Sequence, residues 1–192
     1  YKWHVVSKEN YPVTSFDSIS DSWSQIITKI ANGTADYAVQ DFKTLDLGTE
    51  GKIRMQIAAI DADELASTAG SYAKYSLVAM DLLNTDHNMN ASSAQGDATN
   101  GYTSGTSAIG GWAASGMRSY LSTTIWALLP AELQAAIKEV KKYSCIYDTK
   151  GTKVSDDVTS DKLWIPSVRE VFNSSTYETT GPAYTGIFIN TS

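Results

Sequence analysis

Residues 52–59, Lys-Ile-Arg-Met-Gln-Ile-Ala-Ala, carry the clearest strand signal in the sequence. Ile53, Met55 and Ile57 alternate with Lys52, Arg54 and Gln56. Successive strand side chains point to opposite faces, so the apolar set turns inward and the polar set outward. Such a strand needs a neighbour and a covering layer. The neighbour lies just before it: Tyr37 to Leu47 reads as a strand or strand pair, and Gly48-Thr-Glu-Gly51 reads as the turn of a hairpin.

Helical patterns supply the covering layer. Trp23, Ile26, Ile27 and Ile30 form one stripe, with Ser20 or Asp21 as the cap and Asn32-Gly33 as the stop. Two further short amphipathic helices are expected over Gly110–Leu121 and Leu128–Ile137. Trp112, Met117, Tyr120 and Leu121 can share a face of the first. Leu133, Ala136, Ile137 and Val140 repeat the helical spacing in the second. Pro130 suits a first helical position. Glu132 near the start and Lys138, Lys141 and Lys142 near the end match the helix dipole. Read as physics, this pair is a core-forming unit with no reactive group.

Elsewhere the pattern is weaker. Tyr1–Val6 alternates well enough for a first strand. Asp61–Ser71 reads as a polar loop or short helical turn, and Lys74–Leu83 as an apolar strand covered on both faces. Residues 84–111 form a long loop rich in Asn, Ser, Thr, Gly and Ala, a length that is usually functional or mobile. Tyr143–Asp148 reads as a strand, Thr149–Asp161 as a polar insert, Leu163–Ile165 as a short strand and Pro166–Phe172 as a helical turn. Residues 173–186 read as polar and flexible, and Gly186–Ile189 as a last strand fragment. The expected class is α+β: a twisted, mainly antiparallel sheet with two or three short helices and long polar loops. At 192 residues one domain, 1–192, suffices.

Charge narrows the partners. A net charge of −6 and no basic stripe argue against nucleic acid. No apolar run approaches about 18 residues, so no membrane insertion is expected. Cys145 is the single cysteine, so no internal disulfide forms, and its apolar setting reads as a buried thiol. The chain opens on Tyr1 without a charged-then-apolar leader, which reads as a mature product or a piece of something longer.

Catalytic and metal signatures are sparse. Of the two histidines, His4 reads as a strand residue. His87 with Asp81 and Asp86 falls short of a zinc set. Asp61-Ala-Asp-Glu64 resembles half a calcium loop without its glycine or final glutamate, and reads as a solvated acidic turn. No Gly-x-Ser-x-Gly elbow and no phosphate-binding glycine loop occurs. Arg118 reads as a structural partner for a carboxylate or carbonyl. Four glycosylation sequons, at Asn32, Asn90, Asn173 and Asn190, follow from composition. No cofactor and no metal are expected.

A resemblance adds to this. Gly-Trp-x-x-Ser-x-Met-Arg-x-Tyr-Leu (111–121), Leu-Pro-x-x-Leu (129–133) and Lys-Leu-Trp-Ile-Pro-Ser-x-x-Glu-Val (162–171) are similar to an uncharacterised domain family of Gram-positive surface and prophage tail proteins. Tyr-x-Val-x-Asp-x-Lys-Thr-x-Asp-Leu (37–47) also matches, except that the family carries Gly where this chain has Gln40. That departure bears on the local turn, not on the fold. The family domain continues into Trp-Leu-Arg-Ser and Val-Arg-Pro strands that are missing here. The resemblance implies a C-type-lectin-like fold, incomplete or complemented at its C-terminus, and brings no enzymatic activity.

The combined expectation is a non-enzymatic module of a virion tail or fibre, or of a bacterial surface, used for host attachment. Its partners are a host cell-surface receptor or glycan and neighbouring virion or surface subunits, and it is a candidate homo-oligomer. Asn100, Tyr102, Thr103 and Tyr177 are the candidate contacts, since hydroxyl, amide and phenol groups on loops bind adaptably. A secreted carbohydrate-binding module is the alternative. A relative of formylglycine-generating enzymes, which share the fold, is the weaker one.

Overall fold

A computed structural model describes residues 17–89, 111–147, 152–172 and 180–185. The class is α+β, with antiparallel sheets and a few short helices. The first sheet joins β1 (Phe42–Asp46), β2 (Lys52–Ile60) and β3 (Tyr75–Ala79) in the order β1-β2-β3. The second joins β4 (Val140–Tyr147) and β5 (Lys153–Asp161).

The hairpin forms as its alternation dictates. Leu45 pairs with Ile53 and Phe42 with Gln56, and residues 48–50 make a 3₁₀ turn between them. β2 is covered on both sides. Ile53 and Ile57 face α1 (Trp23–Ala31) and the later helices, packing with Leu45, Leu47, Leu129 and Leu133 in one cluster and with Ile19 and Ile26 in another. The register slips between Ile57 and Ala59, and there Ala58 and Ala59 pack on Tyr184 and Trp164. Two small residues admit those rings.

α1 begins at a capping box. Ser22 Oγ accepts from Gln25 N–H at 3.2 Å, and Gln25 Oε1 accepts from Ser22 N–H at 2.8 Å. The cap is therefore Ser22 rather than Ser20 or Asp21, and Asp21 instead binds Lys29 and Tyr37. Asn32 and Gly33 end the helix as expected, Gly33 at φ 68°.

Several expectations are corrected. Among the described residues β3 is an edge strand: Leu77 is exposed, and beyond the strand Leu82 is 88% exposed, so the segment is not covered on both faces. The helix expected over 110–121 begins at Gly116, because Ser115 is its cap, and it runs further than expected. α2 (Gly116–Tyr120) passes through a π turn at residues 121–125 into α3 (Trp126–Leu128). α4 (Ala131–Ala136) starts after Pro130, which is the cap rather than the first helical residue. Val140 belongs to β4, not to the helix, although it is buried.

The polar insert expected at 149–161 contains β5, which pairs with β4 from Val140↔Asp161 to Tyr147↔Lys153. Leu163–Ile165 is irregular rather than a strand. α5 (Val168–Phe172) confirms the helical turn after Pro166.

Residues 61–66 bridge the sheets. Lys141 N–H donates to Glu64 C=O at 2.8 Å and Ala66 N–H to Glu139 C=O at 3.0 Å. This stretch is no solvated acidic turn: Asp63 is 0% exposed. The strands expected at 1–6 and 186–189 lie outside the described residues.

Candidate functional site

An open cleft of about 620 Å³ lies between the α2–α3 helical run and the end of β5. Its geometry comes from three local features. Ser115 caps α2, its Oγ accepting from Arg118 N–H at 3.1 Å. Gly111, at φ 62°, lets the chain approach β4 closely, since a Cβ there would sit 3.0 Å from the Cys145 carbonyl. The π turn adds a residue to the helical repeat and so re-aims the side chains of α3. Ser122 and Thr123 hydroxyls donate to Ser119 C=O at 3.1 and 2.7 Å, as short hydroxyl side chains do in helices. Gln134 Nε2 donates to the Trp126 and Leu129 carbonyls at 3.0 and 2.9 Å, satisfying the end of the run.

Asp161, 5% exposed, anchors one wall. It accepts from Arg118 Nε at 2.7 Å, from Trp112 Nε1 at 2.9 Å and from the Thr159 hydroxyl. Arg118 Nη2 reaches Ser160 C=O at 3.3 Å. Arg118 is thus the structural partner of a carboxylate and a carbonyl, as its sequence context implies, while its side chain stays partly exposed at the cleft. Lys162 Nζ lies 4.7 Å from the centre of the Trp126 ring. Ser119, Ser122 and Glu139 complete the polar lining.

Chemically the cleft combines an indole, two cations, two carboxylates and hydroxyls. The indole can stack on an apolar face, and the polar groups can hydrogen-bond a hydroxylated or zwitterionic ligand. Asp161 already accepts from three donors, so its part is to hold Arg118 and Trp112 in place.

Beside the cleft, His87 stacks on Tyr120 with centroids 3.8 Å apart. Burial, reinforced by Glu50, pushes the Tyr120 phenol up. Asp81 is bound to Arg54, away from any set with His87. Among the described residues, no group of three or more His, Cys, Asp or Glu could hold a metal ion. Cys145 is buried in β4, with Asp156 Oδ1 3.7 Å from its sulfur.

The four contacts expected from sequence, Asn100, Tyr102, Thr103 and Tyr177, lie outside the described residues, as does His4. The described neighbours of the 90–110 stretch do adjoin the cleft wall: Met117 N–H donates to Met89 C=O at 2.8 Å. Trp126, Lys162, Ser119 and Ser122 are not legible as site residues in the sequence. Trp126 falls in what reads as a hydrophobic turn, and the π turn that aims it has no sequence signature.

Residues 97–189, which contain this cleft, match a domain of unknown function, DUF6273. No curated protein and no solved structure matches the chain.

Proposed function

We propose that this chain is a non-enzymatic recognition module, carried on a phage tail or fibre or on a bacterial surface, that attaches to a host cell-surface receptor or glycan. The observation behind the reading is the cleft. It offers one indole, hydroxyls from Ser119 and Ser122, and cations of Arg118 and Lys162 in an open setting. Sugar-like ligands present both apolar C–H faces and dense hydroxyls, which such a lining complements. The Ser-, Thr-, Asn- and Gly-rich stretch before Gly111, with Tyr102 in it, supports the same reading from composition. The motifs at 111–121 and 162–171 frame the cleft, and the resemblance they carry points to the same surroundings. The C-type-lectin-like arrangement is part of this proposal, supported by an antiparallel sheet flanked by short helices.

A carbohydrate-binding module released from cells is the second reading, favoured by Trp126 on the cleft wall. Wild-type protein and a Ser122→Trp variant, which fills the cleft from an exposed position, are compared for adsorption to Gram-positive cells and to a glycan array. Saturable wild-type binding that falls at least tenfold in the variant, with an unchanged circular dichroism spectrum, is the expected result. Undiminished binding by the variant removes the cleft from the account. Array binding without cell adsorption favours the released module.

A further inference from the structure

The second concentration of charge lies inside the molecule and is independent of the cleft reading. Lys142 of β4 projects into an enclosure shared with Asp63, Glu170, Tyr184 and Trp164. The side chains of Lys142, Asp63 and Glu170 are 5%, 0% and 4% exposed. Lys142 Nζ donates to Asp63 Oδ1 at 2.7 Å, to Glu170 Oε1, and to Tyr184 Oη at 3.0 Å. The other Asp63 oxygen, Oδ2, accepts from Tyr184 Oη–H at 2.6 Å and from the Ser76 hydroxyl. Trp164 covers the amine with its ring centre 4.1 Å away.

Two carboxylates and one ammonium, taken out of water, are costly company. We propose that Lys142 and Asp63 are joined by an intramolecular amide bond that the folded chain makes itself, with Glu170 carrying the proton.

The geometry supplies each part. An amine nitrogen hydrogen-bonded to one carboxyl oxygen at 2.7 Å lies about 3–3.5 Å from the carboxyl carbon, the near-attack range. The proton on the Lys142–Asp63 hydrogen bond passes to Oδ1, leaving a neutral amine and a neutral acid, a pair that costs less to hold away from water than two ions. Nζ attacks Cγ, and negative charge gathers on Oδ2. The Tyr184 and Ser76 hydroxyls already point there, as donors in an oxyanion hole do. Burial first, then the Glu170 and Asp63 charges, push the Tyr184 phenol up, so it remains a donor.

Glu170 then takes a proton from the nitrogen and hands it to Oδ1, which departs as water. The Cγ–Oδ1 bond breaks, the Cγ–Nζ bond remains, and Glu170 is regenerated. One carboxylate and one ammonium become one amide and one water, so atoms and charge balance without a co-reactant.

Glu170 is held for this role. Ser167 N–H donates to its Oε2 at 2.8 Å, and its own N–H donates to Ser167 Oγ at 3.2 Å. This reciprocal cap fixes one oxygen and leaves Oε1 to the amine. Asp63 is the acceptor because its carboxyl, unlike that of Glu170, has two hydroxyl donors on the oxygen where charge collects. The bond would span 79 positions of sequence and tie the first sheet to the second.

The test is the intact mass of the purified full chain, unfolded and reduced, with peptide mapping after it. The proposal expects a mass lower by one water than the sequence requires, and a branched peptide joining Lys142 to Asp63. It also expects the full mass in Lys142→Arg and in Glu170→Gln. Gln keeps the cap at Ser167, so that variant should fold, which circular dichroism checks. Full mass in the wild-type protein overturns the proposal whether or not the variants fold. So does a lost water traced to a linear peptide, as a succinimide gives, or to a branch at Glu170. A Glu170→Gln protein that still lacks the water removes Glu170 from the step.

Discussion

Gln40 sits at φ 77°, a left-handed conformation that costs an ordinary side chain about 1–2 kcal/mol. Its backbone is needed there. Gln40 N–H donates to Ile57 C=O at 2.9 Å, and Ile57 N–H returns to Asp41 C=O at 2.8 Å, so the chain turns into β1 against the bulged part of β2. The resemblance of residues 37–47 implies glycine at this position. Glycine removes the strain but gains freedom in the unfolded chain, worth about 0.4–1 kcal/mol in the other direction. Gln40→Gly should therefore stabilise the protein by about 0.5–1 kcal/mol, the difference of those two effects, read as a higher denaturant midpoint at constant slope. A lower midpoint would show that the side chain itself holds the turn. The sequence marks this residue as a departure. It does not tell that the backbone keeps the glycine conformation without the glycine. Asp63 is the opposite case. In sequence it belongs to an ordinary acidic run, and only the approach of Lys142, distant in the chain, makes it a buried group.

Elements are legible where an apolar face is buried and illegible where the buried positions are polar. β2 and α1 stand out through Ile53 and Ile57 and through Ile26 and Ile30. In β5, Val154 and Val158 are exposed while Thr159 and Asp161 are buried, so hydrophobic alternation runs against the burial, and its pairing with β4 alone makes it a strand. The helical run is longer than its pattern suggests because residues 122–127 read as a hydrophobic turn between two helices, whereas the backbone continues through the π turn into Trp126–Leu128.

The end of β3 is tied down by an ion pair. Arg54 of β2 binds Asp81 through Nε at 3.0 Å and Nη2 at 2.8 Å, and its backbone N–H also donates to Asp81 at 2.8 Å. The Arg54 side chain holds the Asp81 carboxyl below its ordinary value of 3.8, partly offset by burial. A carboxyl lowered on folding stabilises the protein above its unfolded value, and that contribution disappears as pH falls through the lower folded value. Both side chains are a third or more exposed, so solvent screening limits the effect. Asp81→Asn should cost about 0.5–1 kcal/mol at pH 7. The two proteins should converge in stability as pH falls below 3.8. A gap that persists undiminished in acid would assign the loss to packing instead.

At the scale of the molecule, two antiparallel sheets meet along residues 61–66 and close over one buried ionic cluster, while a cleft opens beside them. The α+β class and the hairpin can be read from periodicity. The meeting of the sheets cannot, because it depends on Lys142, Glu170 and Tyr184 arriving at Asp63 from segments with no local pattern in common. The cleft is hidden for a similar reason: Trp126 and Lys162 are far apart in sequence, and the helical run that carries Trp126 is longer than its sequence suggests. The division of labour is then plain in physical terms. In the proposed reading, the buried charges hold the sheets together, and the polar groups of the cleft, beside the half-buried Trp126, face a ligand.

The most direct measurement of that division tracks the five indole N–H signals of the labelled protein by heteronuclear magnetic resonance as polysaccharide purified from Gram-positive cell walls is added. The account predicts that the Trp126 signal moves with saturation, accompanied by Trp112 through its bond to Asp161, while Trp23 and Trp164 stay in place. Saturable binding that shifts Trp23 or Trp164 and leaves Trp126 unmoved would contradict it.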